Sequence, residues 1–454
     1  MARGKKAAKE LTAEEKLEQA LVPVDEQPYP VPENWCWTYI GNGFNVTSSK
    51  RVHKKDWVNA GIPFYRTREL VKLSEYGHID NELFISKELY EKLVGDFGRP
   101  QIGDILISGV GTIGVPFIIK DNALFYFKDG NVIWFQNKGI CLPEFVFYLY
   151  KSSFMLNQIH DMSAGTTVDT YTIVNATKTI FPLPPFAEQQ RIVNRIESIF
   201  AKLDEAKEKA RAVVDGFELR KSAILHKAFT GELTEKWRQE HGVAKASYKQ
   251  TNLGSIIQLL SGQDFKPEQY NSSEDGMPYI TGASNFDGSH VIINRWTPVP
   301  SIIAKYDDVL LVCKGAGYGK TIIADFNEAH IARQIMALRV KEGLLNKFVF
   351  YFLQFEYEYL RNNGQGLIPG ISRKVVLEMP INLPSTEEQL AIISLVERII
   401  EKEQQAKEAA ESVLDQIDTM KKAVLARAFR GELDTNDPED ESAVELLKYI
   451  INKC

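Results

Sequence analysis

The sequence predicts an α+β protein built as a tandem duplication, with two similar mixed α/β domains separated by two long, antiparallel coiled-coil helices. Three observations predict it. Glu188-Gln189 recurs as Glu388-Gln389, and Ala228-Phe229-Thr230-Gly231-Glu232-Leu233 recurs as Ala428-Phe429-Arg430-Gly431-Glu432-Leu433, each displaced by 200 positions with no gap. Between these marks apolar residues alternate in steps of four and three, which is a heptad seam: Ile192, Ile196, Ile199, Leu203, Ala206, Ala210, Val213 and Phe217. The globular stretches around the helices also repeat their landmarks in order. Ile40-Gly41 matches Leu253-Gly254, Gly61-Ile62-Pro63 matches Gly276-Met277-Pro278, Asp104-Ile105-Leu106 matches Asp308-Val309-Leu310, and Phe145-Val146-Phe147-Tyr148 matches Phe348-Val349-Phe350-Tyr351.

Residues 1–34 begin with a helix signal, Thr12 as N-cap and Glu15 three residues on, and then Pro23, Pro28, Pro30 and Pro32 impose an extended lead-in. The first globular domain spans 35–184, where short β-branched and aromatic runs alternate with Gly and Asn turns. Lys87–Val94 and Glu144–Gln158 read as helices within it. Residues 185–240 form the first helical region. A single helix over Ala187–Phe229 would run roughly 65 Å at ~1.5 Å per residue, with Gly216 as the place to kink and Gly231 as a C-cap. The second domain spans 248–384, the second helical region 385–434, and an acidic tail or helix 435–454. The second seam reads Ile392, Val396, Ile399, Glu403, Ala406, Ala410, Val413, Ile417, Met420 and Val424, interrupted by Glu403. Neither helix can bury its stripe alone, so the two are expected to pack on each other. The intervening domain lets the chain return antiparallel, with a globular domain at each end of the rod.

Composition narrows the function classes. At 454 residues, 44% hydrophobic and 25% charged, the chain has the composition of a soluble protein with two to four domains. No apolar run reaches membrane-helix length, so a cytoplasmic location is expected. Cys36, Cys141, Cys313 and Cys454 are scattered without paired spacing, which indicates neither a disulfide framework nor a zinc site. The net charge of −6 belongs to one segment, since residues 387–454 hold nine Lys and Arg against sixteen Asp and Glu. A basic stretch, Lys50, Arg51, Lys54, Lys55, Arg66, Arg68 and Lys72, is interleaved with Trp57, Phe64 and Tyr65 and suits a phosphate backbone as well as a solvated face.

Three motifs imitate enzymes and fail on context. Gly109-Val110-Gly111-Thr112-Ile113-Gly114 has dinucleotide-loop spacing, yet a strand-like run, Val115–Ile119, follows where a helix is required. Lys314–Thr321 approaches a phosphate loop but has Lys314 at its first glycine and continues as a strand. Both read as hairpin tips at equivalent places in the repeat. Leu183-Pro184-Pro185-Phe186 has the shape of an amino-methyltransferase loop, but Leu183 cannot accept an amine proton. These prolines read instead as stopping a strand and presetting the start of the helix. No local catalytic or metal-ligand cluster is visible.

The order of these features, a globular region, a Pro-Pro-Phe-Ala-Glu-Gln helix start, an Ala-Phe-Thr-Gly-Glu-Leu end and then all of it again, resembles the specificity subunits of type I restriction–modification enzymes over nearly the whole chain. The resemblance implies a non-catalytic subunit in which each recognition domain reads one half of a bipartite target on double-stranded DNA. It implies helices that set the spacer and dock methyltransferase subunits, two of them, with restriction and translocation subunits in addition. S-adenosylmethionine, ATP and Mg are then expected on the partners and none on this chain. Expected DNA contacts are Arg51, Lys54 and Arg99 to phosphate, and Arg66, Arg68, Thr112, Thr166 and Thr167 to bases. The second domain offers Ser284, Asn285, Tyr318, Lys320 and Gln365. Helix pairing and subunit docking fall to Ile192, Ile196, Ile199, Leu203 and Phe217, with Ile392, Val396, Ile399, Val413 and Ile417. The rival readings are a stand-alone DNA-modifying enzyme with dispersed catalytic residues and a coiled-coil scaffold that binds only protein.

Overall fold

The computed structural model describes residues 12–163, 169–245, 248–315, 317–362 and 370–453. The capping box forms as expected. Thr12 Oγ1 accepts from Glu15 N, and the Glu15 carboxylate accepts from Thr12 N at 2.7 Å, opening α1 (Ala13–Ala20). The first globular segment then runs β1 (Cys36–Tyr39), α2 (Ile40–Gly43), β2 (Phe44–Thr47), β3 (Trp57–Val58), β4 (Ile62–Tyr65), α3 (Thr67–Tyr76), β5 (Phe84–Ile85) and α4 (Lys87–Phe97). It continues through β6 (Ile105–Ser108), β7 (Pro116–Ile118), β8 (Tyr126–Phe127), β9 (Val132–Asn137), α5 (Pro143–Tyr150), α6 (Ser153–Ser163), α7 (Ile173–Lys178) and β10 (Ile180–Leu183). The helix expected over Glu144–Gln158 is therefore two. Buried Ser152 ends the first by donating to Leu149 O and starts the second by accepting from Met155 N.

After Pro184-Pro185 come α8 (Phe186–Asp215), α9 (Phe217–Phe229) and α10 (Glu235–His241). The second globular segment follows with β11 (Lys249–Asn252), α11 (Leu253–Ile256), β12 (Ile257–Ser261), β13 (Met277–Ile280), β14 (Trp296–Thr297), β15 (Ile303–Lys305), β16 (Val309–Val312) and β17 (Thr321–Ile323). Next are β18 (Glu328–Ile331), β19 (Ile335–Val340), α12 (Asn346–Phe355), α13 (Tyr357–Asn362), α14 (Arg373–Leu377) and β20 (Pro380–Leu383). The chain closes with α15 (Thr386–Ala428), 43 residues without Gly or Pro, and α16 (Ala443–Lys453).

The chain forms two compact units. Unit 1 holds residues 1–209 and 413–454, and unit 2 holds 210–412. Each contains an antiparallel sheet of the same topology, β2-β9-β6-β7 in unit 1 and β12-β19-β16-β17 in unit 2. The central strands β6 and β16 are buried at every residue, which suits their unbroken Ile, Leu and Val runs. A second sheet in each unit contains one parallel pair, β4 with β8 and β13 with β18. Around that pair the copies diverge. Unit 1 inserts α3 and α4 between β4 and β6, whereas unit 2 has β14 and β15 in the corresponding span. Antiparallel pairs β1–β10 and β11–β20 tie the start of each globular segment to its end, so the long helix leaves beside the strand that began the segment.

The long helices pack antiparallel within each unit. In unit 1 Lys207 meets Asp418 and Asp204 meets Lys421; in unit 2 Phe217 lies under Lys407 and Arg220 meets Glu403. Of the expected seam, Ile192, Ile196, Phe217, Ile392, Val396 and Ile417 are buried, and Ile199, Leu203 and Ile399 are half-buried. The six buried residues serve packing within their own units, which is the helix-pairing part of the expectation. Val413 is 40% exposed and Met420 46%, so neither is a seam residue. A helix of 3.6 residues per turn drifts off a 3.5-residue pattern, and Leu414 and Lys421 turn inward there instead.

Gly216 does interrupt the first helix, by a side-chain mechanism. A Cβ there would lie 2.5 Å from Arg220 Nη1. Arg220 folds back through that space, donates to Val213 O at 2.8 Å and reaches Glu403 at 2.5 Å. The two interruptions of the heptad pattern are thus one contact.

Candidate nucleic-acid interface

Four segments distant in sequence meet at one edge of unit 1. Lys128 N donates to Tyr65 O, fixing the turn before β9 against the end of β4. Gly109 N donates to Asn131 O at 2.8 Å, which brings the start of the β6–β7 turn alongside. Tyr171 N donates to Gly109 O at 2.8 Å, and Val110 bridges Thr170, so the chain following residues 164–168 joins the same junction. Thr67 Oγ1, in the first turn of α3, donates to Asn131 O at 3.2 Å. The approach is close enough to require glycine, since a Cβ at Gly109 would sit 2.9 Å from Tyr171 O. Tyr171 is held in turn by hydroxyl bonds to Tyr150 and Thr179, all buried.

Unit 2 builds the same junction from unlike residues. Ala332 N donates to Ile280 O, Cys313 N to Gln334 O at 2.7 Å, and Ile371 N to Cys313 O at 2.8 Å, while Lys314 bridges Gly370. In place of the start of α3 stands the turn Gly282–Asn285. A Cβ at Gly317 would lie 2.3 Å from Ala283 Cβ, so the β16–β17 tip closes on that turn only because residue 317 is glycine. Both Gly-rich motifs are therefore hairpin tips, joining antiparallel β6–β7 and β16–β17.

Several sequence-nominated residues come together here. Thr112 is exposed on the unit 1 tip. The 48–51 loop runs beside the turn before β9, with Ser48 Oγ bonded to Val132 O and exposed Arg51 paired with Asp129 at 3.0 Å. Lys54 is exposed a few residues further on. In unit 2, Ser284 and Lys320 are exposed on the two segments that Gly317 brings into contact. Thr166, Thr167 and Gln365 lie outside the described residues, although the flanks of both stretches are bonded into the junctions.

Others need correction. The Arg66 fork, expected to grip a base, closes on Glu69 through Nε at 3.0 Å and Nη2 at 2.7 Å. Arg68 is shared between Glu69 and Glu82. Burial works against the charge of Glu69, and the Arg66 and Arg68 hydrogen bonds outweigh it, holding that carboxyl below its ordinary range. Both arginines sit at the junction as members of an ion-pair cluster. Asn285 is fully buried; its Oδ1 accepts from Thr281 N and Gly282 N and its amide donates to Ile292 O, so it shapes the turn and cannot reach a ligand. Tyr318 is half-buried against the unit 2 core, with its hydroxyl on Arg361. Arg99 precedes β6 and so stands at the opposite end of that strand from the tip.

Sequence reasoning missed one set of residues and, for a second set that it had marked as repeat landmarks, missed the role. The first is the amide pair Asn131 and Gln334, one per junction; each sits immediately before a central strand, with no local motif to mark it. The second is the base of each unit. Glu188 and Gln189, like Glu388 and Gln389, are buried. Gln189 accepts from Leu142 N and donates to Ile140 O and Pro184 O, and Gln389 repeats this with Leu345 N, Gly343 O and Pro384 O. Each glutamine welds a helix start to its own globular segment. Each glutamate binds the chain just beyond a Gly-Glu-Leu end, Glu188 at Thr435 and Asn436 and Glu388 at Thr234 and Arg238. Retention of both residues through the duplication was the available signal.

Among the described residues no cluster of His, Cys, Asp and Glu could hold a metal ion, and no helix is long and apolar enough to cross a membrane.

A family model for the type I restriction modification DNA specificity domain matches residues 32–213 and again 247–412. The type I restriction enzyme EcoKI specificity subunit of Escherichia coli K12 is 25% identical over 326 residues, covering 65% of this chain and 68% of that protein. The EcoBI specificity subunit of Escherichia coli is 22% identical over 424 residues, covering 87% and 84%. The fold is that of the HsdS subunit from Thermoanaerobacter tengcongensis, with a TM-score of 0.68 at 21% identity over 90% of this chain and all of that one. With both globular segments and the first part of each following helical region matched, the chain belongs to the type I restriction–modification DNA specificity family.

Proposed function

We propose that this chain is the DNA-reading, non-catalytic subunit of a type I restriction–modification assembly, and that each of its two domains reads one half of a bipartite target. The observation that carries the reading is the junction built twice, with identical backbone bonds and unlike side chains: Arg66, Thr67 and Asn131 in one copy, Thr281, Gly282 and Gln334 in the other. A conserved frame with divergent loops suits two sites doing one kind of work on two ligands. Exposed Lys54, Lys320 and Lys314 supply phosphate contacts, and Thr112 and Ser284 reach base edges. The helices fix the spacer between half-sites and dock two methyltransferase subunits. Those partners carry S-adenosylmethionine, and restriction subunits carry ATP and Mg, in the cytoplasm.

The test is to co-express the chain with its methyltransferase subunit and map modified adenines. Two short motifs at fixed separation are expected. Modification or cutting by the chain alone, or modification without sequence preference, would refute the reading. Insertion of about one helical turn in either long helix should lengthen the spacer and leave both half-sites unchanged.

A further inference from the structure

Asn285, the amide buried in the unit 2 turn, is consumed by the fold, and so are Asn137, Asn271 and Gln158 elsewhere in the two units, each with several bonds to backbone. Asn131 and Gln334 are different. Their backbone carbonyls occupy equivalent places in the two junctions, yet among the described residues neither side-chain amide has a hydrogen-bond partner. Gln334 is exposed and Asn131 half-buried at the rim. Unit 2 also clears a path for the longer side chain. A Cβ at Gly282 would lie 2.7 Å from Gln334 Oε1, and one at Gly315 would lie 3.6 Å from it.

We propose that Asn131 and Gln334 are specificity-determining residues, each reading one adenine in its own half-site. A carboxamide sets one acceptor beside one donor, the complement of the adenine N6 amino group and N7 in the major groove. Tip, loop flank and the segment after β4 or β13 converge around each amide, so a base edge brought to the junction meets a carboxamide whose hydrogen bonds are unspent. Unit 1 uses the shorter Asn beside Thr67 and unit 2 the longer Gln beside Gly282. This inference rests on the reading that each domain reads a half-site.

The test uses the chain assembled with its methyltransferase subunit and DNA libraries randomised across both half-sites. The wild-type complex must first yield a bipartite motif; if it does not, the half-site reading itself falls. Given that motif, Asn131→Ala should make one A·T position degenerate in one half-site, losing about five- to hundred-fold discrimination there. Gln334→Ala should do the same in the other half-site only. The isosteric Asn131→Asp and Gln334→Glu, which keep shape and remove the donor, should shift that position from adenine toward cytosine. Unchanged motifs in all four variants would overturn the proposal. So would a uniform loss of binding to every sequence, because that is the signature of a structural or phosphate-contacting residue.

Discussion

In unit 1 the buried carboxylate of Glu188 is surrounded by neutral donors, the Trp35 indole at 2.6 Å, Asn436 at 2.8 Å and Thr435 at 3.2 Å, whereas in unit 2 Glu388 lies against the Arg238 guanidinium at 2.8 Å, with Thr234 and Tyr248 completing the cage. The position and the mechanical task are the same. The electrostatics are opposite. Burial pushes the Glu188 carboxyl up, outweighing its three hydrogen bonds and the charge of nearby Arg191, which binds Thr435 O and Asp440 instead. Glu388 has a full counter-charge, and Arg238 also donates to Gly231 O at 2.6 Å, so the pair locks the Gly-Glu-Leu turn. Burial, and then the same carboxylate, push the Tyr248 hydroxyl up to about 12. After duplication, the side chains that surround a buried charge drifted while the charge stayed.

The largest effect that would break this comparison comes from Glu388→Gln. All of its donors converge on Oε1, and among the described residues Oε2 has no partner, so a glutamine carbonyl can keep the hydrogen bonds and lose only the charge. Arg238, 7% exposed, would then be an uncompensated buried cation, and unit 2 should lose about 3–5 kcal/mol. Hydrogen exchange on β16 and β19 would report it. Glu188→Gln should cost about 1 kcal/mol or less at neutral pH, because escape from the burial penalty offsets one lost acceptor. A loss in unit 1 equal to that in unit 2 would erase the distinction.

The same contrast can be sharpened by pH. Because folding raises the Glu188 pKa, the native state binds more protons than the unfolded chain between the ordinary carboxyl value and the raised one. Its contribution is most favourable below the ordinary value and is lost as pH rises through the folded value. Unfolding of unit 1 in the wild type should therefore require more denaturant as pH falls from 7 toward ~4.5, and this dependence should shrink in Glu188→Gln. The smallest effect is expected at Gly216. Alanine there should gain about 1 kcal/mol of helix propensity but displace Arg220, so the net change in the wild type should be near zero. In an Arg220→Ala background the same change should stabilise, and a double-mutant cycle would show the coupling.

Much of this architecture was legible because it was written twice. The helix marks, the hairpin identity of the Gly-rich loops and the buried strands follow from local spacing and recur in both halves. The cages around Glu188 and Glu388 were not legible, because the repeat loses register after Leu233 and Leu433: Thr234 and Arg238 serve one, Thr435 and Asn436 the other. The exposure of Val413 was hidden by helical drift, and the closure of Arg66 on Glu69 by the difficulty of telling a free guanidinium from a paired one in sequence. Asn131 and Gln334 gain meaning only from segments more than twenty residues away that fold onto them.

The Arg220 fold-back carries a rule about shuffling. Its three parts are Gly216, Arg220 and, on the opposing helix, Glu403, while the corresponding positions of the other copy are Gln416, Met420 and Leu203. A chain assembled from two first halves would set each Arg220 against a leucine, and one from two second halves would leave each Glu403 facing a methionine. A crossover inside the helices must therefore carry a compatible partner at positions 220 and 403 or forfeit the ion pair.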